Sequence, residues 1–135
     1  MAIGRVIEVS VLLDTHVLYW WMTASNRILE AHRLLINDPD EIVYVSAVTA
    51  WEMSIKAKLG KWPGAGILLP TLEEAILAEG FETLDITFAQ AKFAGSLDLI
   101  HKDPFDRLIA AQSILLDIPV ATLDPALAIL DCKTV

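Results

Sequence analysis

The alternation of apolar and polar positions divides the chain into short β-branched runs and longer segments with helical spacing. The predicted strands are 5–13, 41–45, 81–86 and 118–123. The predicted helices are 15–22, 26–38, 47–59, 71–80, 87–97, 104–116 and a short helical tail after Pro125. Strands separated by helices pair in parallel, so this order predicts an α/β fold with a central parallel sheet and helices on both of its faces.

Local signals define the ends of several helices. Ser46 is the expected N-cap of the helix that Gly60 ends, and Thr71 with Glu74 has capping-box spacing. The segment 61–70 contains two prolines and two glycines and is expected to be a loop. In helix 26–38, the apolar residues between 28 and 35 form the stripe expected to face the core.

Length and composition predict one domain, 1–135. A chain of 135 residues with 55% hydrophobic content can bury a core without disulfides, and its single cysteine, Cys132, has no internal partner. The first apolar run stops at Asp14, too early for a signal peptide or membrane span, so a cytoplasmic location is expected. The high apolar share is compatible with a surface that a second copy of the chain covers.

The net charge of −8, from 18 acidic against 10 basic residues, argues against a protein that holds long nucleic acid by charge alone. The acids are scattered along the chain, which excludes a disordered acidic tail as the explanation. Any nucleic-acid function therefore requires that these carboxylates be neutralised.

Three aspartates stand where a helix is predicted to begin. Asp14 follows a strand, Asp124 follows another, and Asp103 precedes a proline, so each taken alone is explained as a helix cap. Asp106, in the first turn of helix 104–116, suits the helix dipole. Ligands of parallel sheets, however, bind beyond the carboxyl ends of the strands, where Asp14 and Asp124 both lie.

Glu52 falls on the apolar stripe of its predicted helix, together with Val48 and Ile55. A carboxylate on that face loses hydration and must protonate, pair with a cation or bind a metal ion. The simpler alternative is an ion pair with Lys56, one turn later, which contributes roughly 0.2–0.5 kcal/mol on an exposed helix.

Several carboxylates that converge at the strand ends would repel one another unless a divalent cation were present. Oxygen ligands without cysteine or paired histidine favour Mg²⁺ or Mn²⁺ over zinc. Such an ion binds a phosphodiester oxygen and activates an attacking water, and it also reduces the negative charge that a polyanion meets. The acids therefore indicate phosphodiester hydrolysis.

Four motifs carry a family resemblance: LLDTHVLYWW at 12–21, SAVTAWEMSIKAKLGK at 46–61, HKDPFDRLIAAQ at 101–112 and VATLDPAL at 120–127. In their order and spacing the chain resembles PIN-domain ribonucleases, and specifically the VapC-like toxins of toxin–antitoxin pairs. The resemblance spans nearly the whole chain. It implies a PIN-like fold, cleavage of RNA, a homodimer, and an antitoxin protein that blocks the site.

By this resemblance Asp14, Glu52, Asp106 and Asp124 are the catalytic acids that hold Mg²⁺. Asp103 is accessory, and it either caps the helix or holds a water in the outer shell of the ion. The resulting hypothesis is a Mg²⁺-dependent endoribonuclease. The alternative is a catalytically silent PIN-like module, or a receiver-like module with an acidic pocket, that binds a regulatory protein.

Basic residues are candidates for RNA contact. Lys56 and Lys58, with Trp62 nearby, either contact RNA or form a solvated helix face. Arg107 either clamps a phosphate or pairs internally with a neighbouring carboxylate.

Histidine is not required as a general base, because the metal ion supplies the nucleophile in this scheme. His16 and His101 are therefore expected in structural or substrate-contact roles. Thr15 and Thr122 adjoin acids, and their hydroxyls could orient a carboxylate or a water. The alternative, an ordinary turn or strand role, is the one expected for both.

Overall fold

The structure, a computed structural model, describes residues 9–97 and 103–135. The strands are β1 (Val9–Leu13), β2 (Glu41–Ser46), β3 (Glu82–Leu84) and β4 (Val120–Ala121). The helices are α1 (Thr15–Met22), α2 (Glu30–Asn37), α3 (Ala47–Lys58), α4 (Pro63–Leu68), α5 (Leu72–Ala78), α6 (Phe88–Ser96), α7 (Pro104–Leu116) and α8 (Pro125–Ile129), with a 3₁₀ turn at Leu69–Thr71. The predicted strand 5–13 is thus described from Val9 onward.

The four strands form one parallel sheet in the order β3-β2-β1-β4. Strand β1 lies inside the sheet, with Val11 opposite Val43 of β2 and Leu12 opposite Val120 of β4. The α/β prediction with a central parallel sheet is confirmed. Because all strands run in one direction, the segments that follow β1, β2 and β4 emerge at the same edge.

Helices cover both faces of the sheet, as predicted. Successive residues of a strand point to opposite faces, so Val11 and Leu13 belong to one apolar cluster and Leu12 to the other. The first cluster is closed by α1, α2, α5 and Met53 of α3, and the second by α7, α8 and Val48 of α3. Helix α3 therefore contributes to both layers, which places its middle turns close to the strand ends.

The prediction of a loop over 61–70 is wrong, because α4 occupies most of this segment. Pro63 stands in the first turn, where its fixed φ and missing N–H are tolerated. Helix α4 packs against α3, and a Cβ on Gly66 would stand 3.4 Å from the Cβ of Ala57. The segment is therefore helical and packed against α3 in spite of its glycines and prolines.

Two local predictions in the helices also differ from the structure. Helix α2 buries His32 and Ile36, whereas Leu34 of the predicted apolar stripe is 64% exposed. Thr71 makes no capping hydrogen bond, and the capping box lies instead at Thr87 and Gln90 of α6. The Ser46 cap is confirmed, since its hydroxyl accepts the N–H of Val48 at 3.0 Å.

Within residues 9–97 and 103–135, none of the helices combines the length and apolar character needed to cross a bilayer.

Candidate functional site

A cavity of about 400 Å³ opens at the carboxyl edge of the sheet, and acidic side chains from four segments line it. Its lining residues are Asp14, His16, Val17, Trp20, Glu52, Lys56, Asp103, Asp106, Leu123, Asp124 and Pro125. All five acids proposed from the sequence thus meet around one space. A second cavity, of about 370 Å³ between α3, α5 and β3, has only Glu73 and Asp85 as charged lining residues.

Asp14 joins β1 to α1 and is 7% exposed. One carboxylate oxygen accepts the N–H of Thr15 at 2.8 Å, and the other accepts the hydroxyl of Thr122 at 2.7 Å. Burial raises the pKa of Asp14 and the charge of Glu52 adds to this, while the two hydrogen bonds and His16 oppose it. The carboxyl group is therefore held in one orientation at a place where its negative charge is costly.

Glu52, in the middle of α3, is 4% exposed and lies on the cavity wall. Lys56 donates a hydrogen bond to its Oε2 atom, one helical turn away. The sequence offered burial on the inward face of the helix and an ion pair with Lys56 as alternatives for Glu52. The structure shows both. The sequence left open whether Lys56 belongs to a solvated helix face. In the structure its ammonium group lies inside the acidic cavity.

Burial alone would lower the pKa of Lys56, but the hydrogen bond and charge of Glu52, with smaller effects from Asp103 and Asp106, raise it overall. The ammonium group thus interacts with acids from both α3 and the start of α7. In this structure Lys56 supplies one positive charge among five carboxylates.

Asp103 caps α7, with its Oδ1 atom accepting the N–H groups of Phe105 at 2.9 Å and Asp106 at 3.3 Å. The capping alternative is therefore observed, and the same residue also lines the cavity. Asp106, in the first turn, is 8% exposed and lines it as well. The cap fixes the helix start and so the direction in which Asp106 projects.

Asp124 caps α8 by accepting the N–H of Ala126 at 3.0 Å. Thr122 connects it to Asp14: its hydroxyl donates to Asp14 and accepts the N–H of Asp124 at 2.9 Å. Of the two alternatives for Thr122, the orienting role is the one observed, because its hydroxyl contacts the carboxylate of Asp14 and the backbone of Asp124. The spacing of Thr122 and Asp124 in the sequence indicates the local contact with the Asp124 backbone, but not the contact with Asp14.

The remaining basic candidates lie elsewhere. Arg107 is 8% exposed, and its guanidinium donates to the carbonyls of Ala94 at 3.1 Å, Gly95 at 3.0 Å and Leu97 at 2.9 Å. The group ties α7 to the end of α6, so internal contacts are the observed use of Arg107 in the fold. Lys58 is exposed near the end of α3, outside the cavity lining. His101 lies outside the described residues.

The donors in the cavity fit a hard divalent ion in chemistry, since they are carboxylates without thiolates. In the part of the chain that the structure describes, no three histidine, cysteine or acidic side chains stand close enough together to form a metal cluster. An ion that used Glu52 would take the place of the Lys56 hydrogen bond.

Comparison with known proteins identifies the family. Residues 11–131 match the PIN domain family. The chain is 36% identical to the ribonuclease VapC22 of Mycobacterium tuberculosis over 106 residues, which cover 78% of this chain and 79% of that protein. This chain belongs to the PIN-domain family, as its motifs predicted.

Solved structures agree on the fold. FitAcB from Neisseria gonorrhoeae has a TM-score of 0.63 at 24% identity, covering 92% of this chain and 95% of that chain. VapBC2 from Rickettsia felis, bound to a DNA fragment from its promoter, has a TM-score of 0.65 at 15% identity, covering 94% and 98%.

Proposed function

We propose that this chain is an endoribonuclease that depends on Mg²⁺ or Mn²⁺ and acts as the toxin of a toxin–antitoxin pair. The observation that carries the proposal is the convergence of Asp14, Glu52, Asp106 and Asp124 on one cavity from four separate segments. Local capping explains Asp14 and Asp124 one at a time, but it does not explain why all four acids border the same space. The 36% identical relative is itself named a ribonuclease.

In this proposal Asp14 and Asp106 are direct ligands of the ion, and Glu52 and Asp124 complete its shell. Asp103 fixes the start of α7 and borders the outer shell. When bound, a divalent ion supplies charge neutralisation and a water of lowered pKa for attack on phosphorus. The chain contributes orientation. The hydroxyl of Thr122 and the N–H of Thr15 hold the two oxygens of Asp14. Binding of an ion would therefore cost little further conformational entropy at this side chain.

Lys56 acts as a counter-charge that keeps the acidic cavity folded before an ion enters. With Glu52 engaged in holding an ion, the ammonium group of Lys56 would be available to contact a phosphate of the RNA. This assignment preserves the proposed RNA contact of Lys56 and gives it a second role. Lys58, which is exposed on the same helix, remains a proposed RNA contact at a greater distance from the cavity.

For partners, we propose an antitoxin protein with a basic segment, because a cavity lined by five carboxylates attracts cationic side chains. The solved structure from Rickettsia felis is a VapBC2 assembly, which supports this type of partner. A homodimer is also proposed. Size-exclusion chromatography with light scattering, with and without the co-expressed partner, would measure both assemblies.

The test is a ribonuclease assay on single-stranded RNA with the purified chain. We expect no cleavage in EDTA, cleavage on addition of Mg²⁺ or Mn²⁺, and loss of cleavage in Asp14→Asn. Asp117→Asn is the matched control, since its side chain is 80% exposed, pairs with Lys133 and lies away from the cavity. Sequencing of the RNA ends would then define the substrate.

The alternative function is a silent module that binds only a regulatory protein. It predicts that the chain, prepared free of its partner, leaves RNA intact in both ions while still forming a complex with the partner. That combination of results would overturn the proposed nuclease.

A further inference from the structure

We propose that His16 and Trp62 form a stacking platform that holds one RNA base beside the acidic cavity. The inference rests on the proposed function for its ligand, an RNA strand. Its geometric basis is independent of the acids. It assigns a substrate-binding role to two residues that the metal scheme does not use.

The two rings are stacked, with centroids 4.5 Å apart and planes inclined by 9°. His16 is exposed and lines the cavity, so Trp62 covers one ring face while the side chain stays open to solvent. Trp20, whose ring centroid lies 5.9 Å from that of His16, also lines the cavity. A flat aromatic surface therefore stands at the wall of the same space that holds the acids.

The platform is held in place from below. The centroids of the Tyr19 and Trp62 rings lie 4.9 Å apart with a tilt of 60°. The backbone N–H of Trp62 donates to the backbone carbonyl oxygen of Lys56 at 3.2 Å. Gly64 makes this packing feasible, because a Cβ at that position would stand 1.9 Å from the Tyr19 hydroxyl oxygen. Rings fixed in this way lose little conformational entropy when a ligand stacks on them.

A nucleobase fits the surroundings better than a free anion. The cavity is acidic and the chain carries a net charge of −8, so an anion gains nothing from the ring surface itself. A base is flat and uncharged, and it brings its phosphate toward the cavity through a covalent link. Stacking of this kind accepts every base, and removing an aromatic partner weakens binding by about 5- to 150-fold.

The experiment uses short RNA substrates in which a single abasic ribose is moved along the strand. In Mg²⁺, the wild-type chain should show a KM raised about 5- to 150-fold at one abasic position near the cleaved bond, with kcat little changed. His16→Ala and Trp62→Ala should raise KM for the intact RNA and lose the distinction between intact and abasic strands. His16→Phe, which retains a ring, should restore it.

Phe88→Ala is the matched control, because this aromatic ring is 89% exposed on α6 and lies outside the cavity lining. Thermal unfolding of each variant, and Mn²⁺ binding by the His16 variants, would verify that the fold and the acids beside His16 are intact. A control that behaves like His16→Ala would mean that the assay reports general surface effects, which would overturn the assignment.

Three results contradict the platform in different ways. Cleavage with equal KM for intact and abasic RNA overturns the platform and leaves the nuclease standing. Absence of cleavage of any RNA in Mg²⁺ or Mn²⁺ overturns the proposed function and the RNA ligand together. A third result is that both alanine variants still distinguish intact from abasic RNA but bind a hexa-arginine peptide more weakly than wild type. This result would assign the rings to a protein partner.

Discussion

Asp14 and Asp124 have the same local setting in the sequence but different surroundings in the fold. Each follows a strand, caps the next helix and borders the cavity. Asp14 follows the interior strand β1 and is 7% exposed, whereas Asp124 follows the two-residue strand β4 at the end of the sheet and is exposed. Position in the sheet, and not the local motif, sets how strongly each carboxylate is dehydrated.

Thr122 contacts both aspartates, but through different groups of the two residues. Its hydroxyl donates to the carboxylate of Asp14, but at Asp124 it accepts only the backbone N–H. Both carboxylates use Oδ1 as a helix cap, but the second oxygen of Asp14 also accepts the hydroxyl of Thr122. Asp14 is therefore held through both of its oxygens, and the segment after the distant strand β4 supplies the second contact.

The two aspartates should differ most in how much their substitution lowers the rate of RNA cleavage. Asp14→Asn should lower the rate of RNA cleavage by about 10³-fold or more, because a direct ligand of the ion loses its charge. Asp124→Asn keeps a good cap and should lower it by about 10- to 100-fold, the range for supporting groups around a metal. Single-turnover cleavage in Mg²⁺ measures both. Equal losses in the two variants would contradict the comparison.

Thr122→Val should have an intermediate effect, because it removes the hydroxyl shared by both aspartates. We expect cleavage to fall about tenfold and the free energy of unfolding to fall by about 1–3 kcal/mol, the cost of losing a buried hydrogen bond to a charged group. Thr122→Ser retains the hydroxyl and is the control. The measurements are cleavage rates and urea denaturation. If Thr122→Ser is as impaired as Thr122→Val, packing of the methyl group is the cause.

The smallest expected effect is on stability against pH in EDTA. Burial raises the pKa of Asp14 in the folded chain, so its contribution is fully present below the unfolded-state pKa and is lost as pH rises through the folded-state pKa. Over that interval, wild type should lose stability relative to Asp14→Asn. Denaturation midpoints of the two proteins across acidic pH measure the difference. If the difference between the two denaturation midpoints does not change with pH, burial does not raise the pKa of Asp14 in the folded chain.

Much of the fold and of the site was predictable from the sequence. The strand–helix alternation predicted a parallel sheet, and the acids at predicted helix starts pointed to its carboxyl edge. The periodicity of α3 placed Glu52 on an inward face, where it is found. These predictions succeeded because backbone period, capping chemistry and the shared direction of parallel strands are local or nearly local properties.

The features that were predicted wrongly or left open share a different origin. Arg107 could be recognised as basic, but only the fold brings the carbonyls at the end of α6 to its guanidinium. Helix α4 forms in a segment rich in proline and glycine because it packs on α3. Thr122 orients Asp14 across a separation of 108 positions, which no pattern within a short window reports.

Local patterns in the sequence were thus enough to predict most strands and helices and the carboxylates at their ends. The place of Lys56 in the acidic cavity, the contacts of Thr122 with two aspartates and the stacking of His16 on Trp62 follow only from the packed fold. The physical reason is that periodicity and capping act over a few residues. Dehydration, charge pairing and ring stacking depend on which distant side chains the packed sheet and helices bring within contact distance.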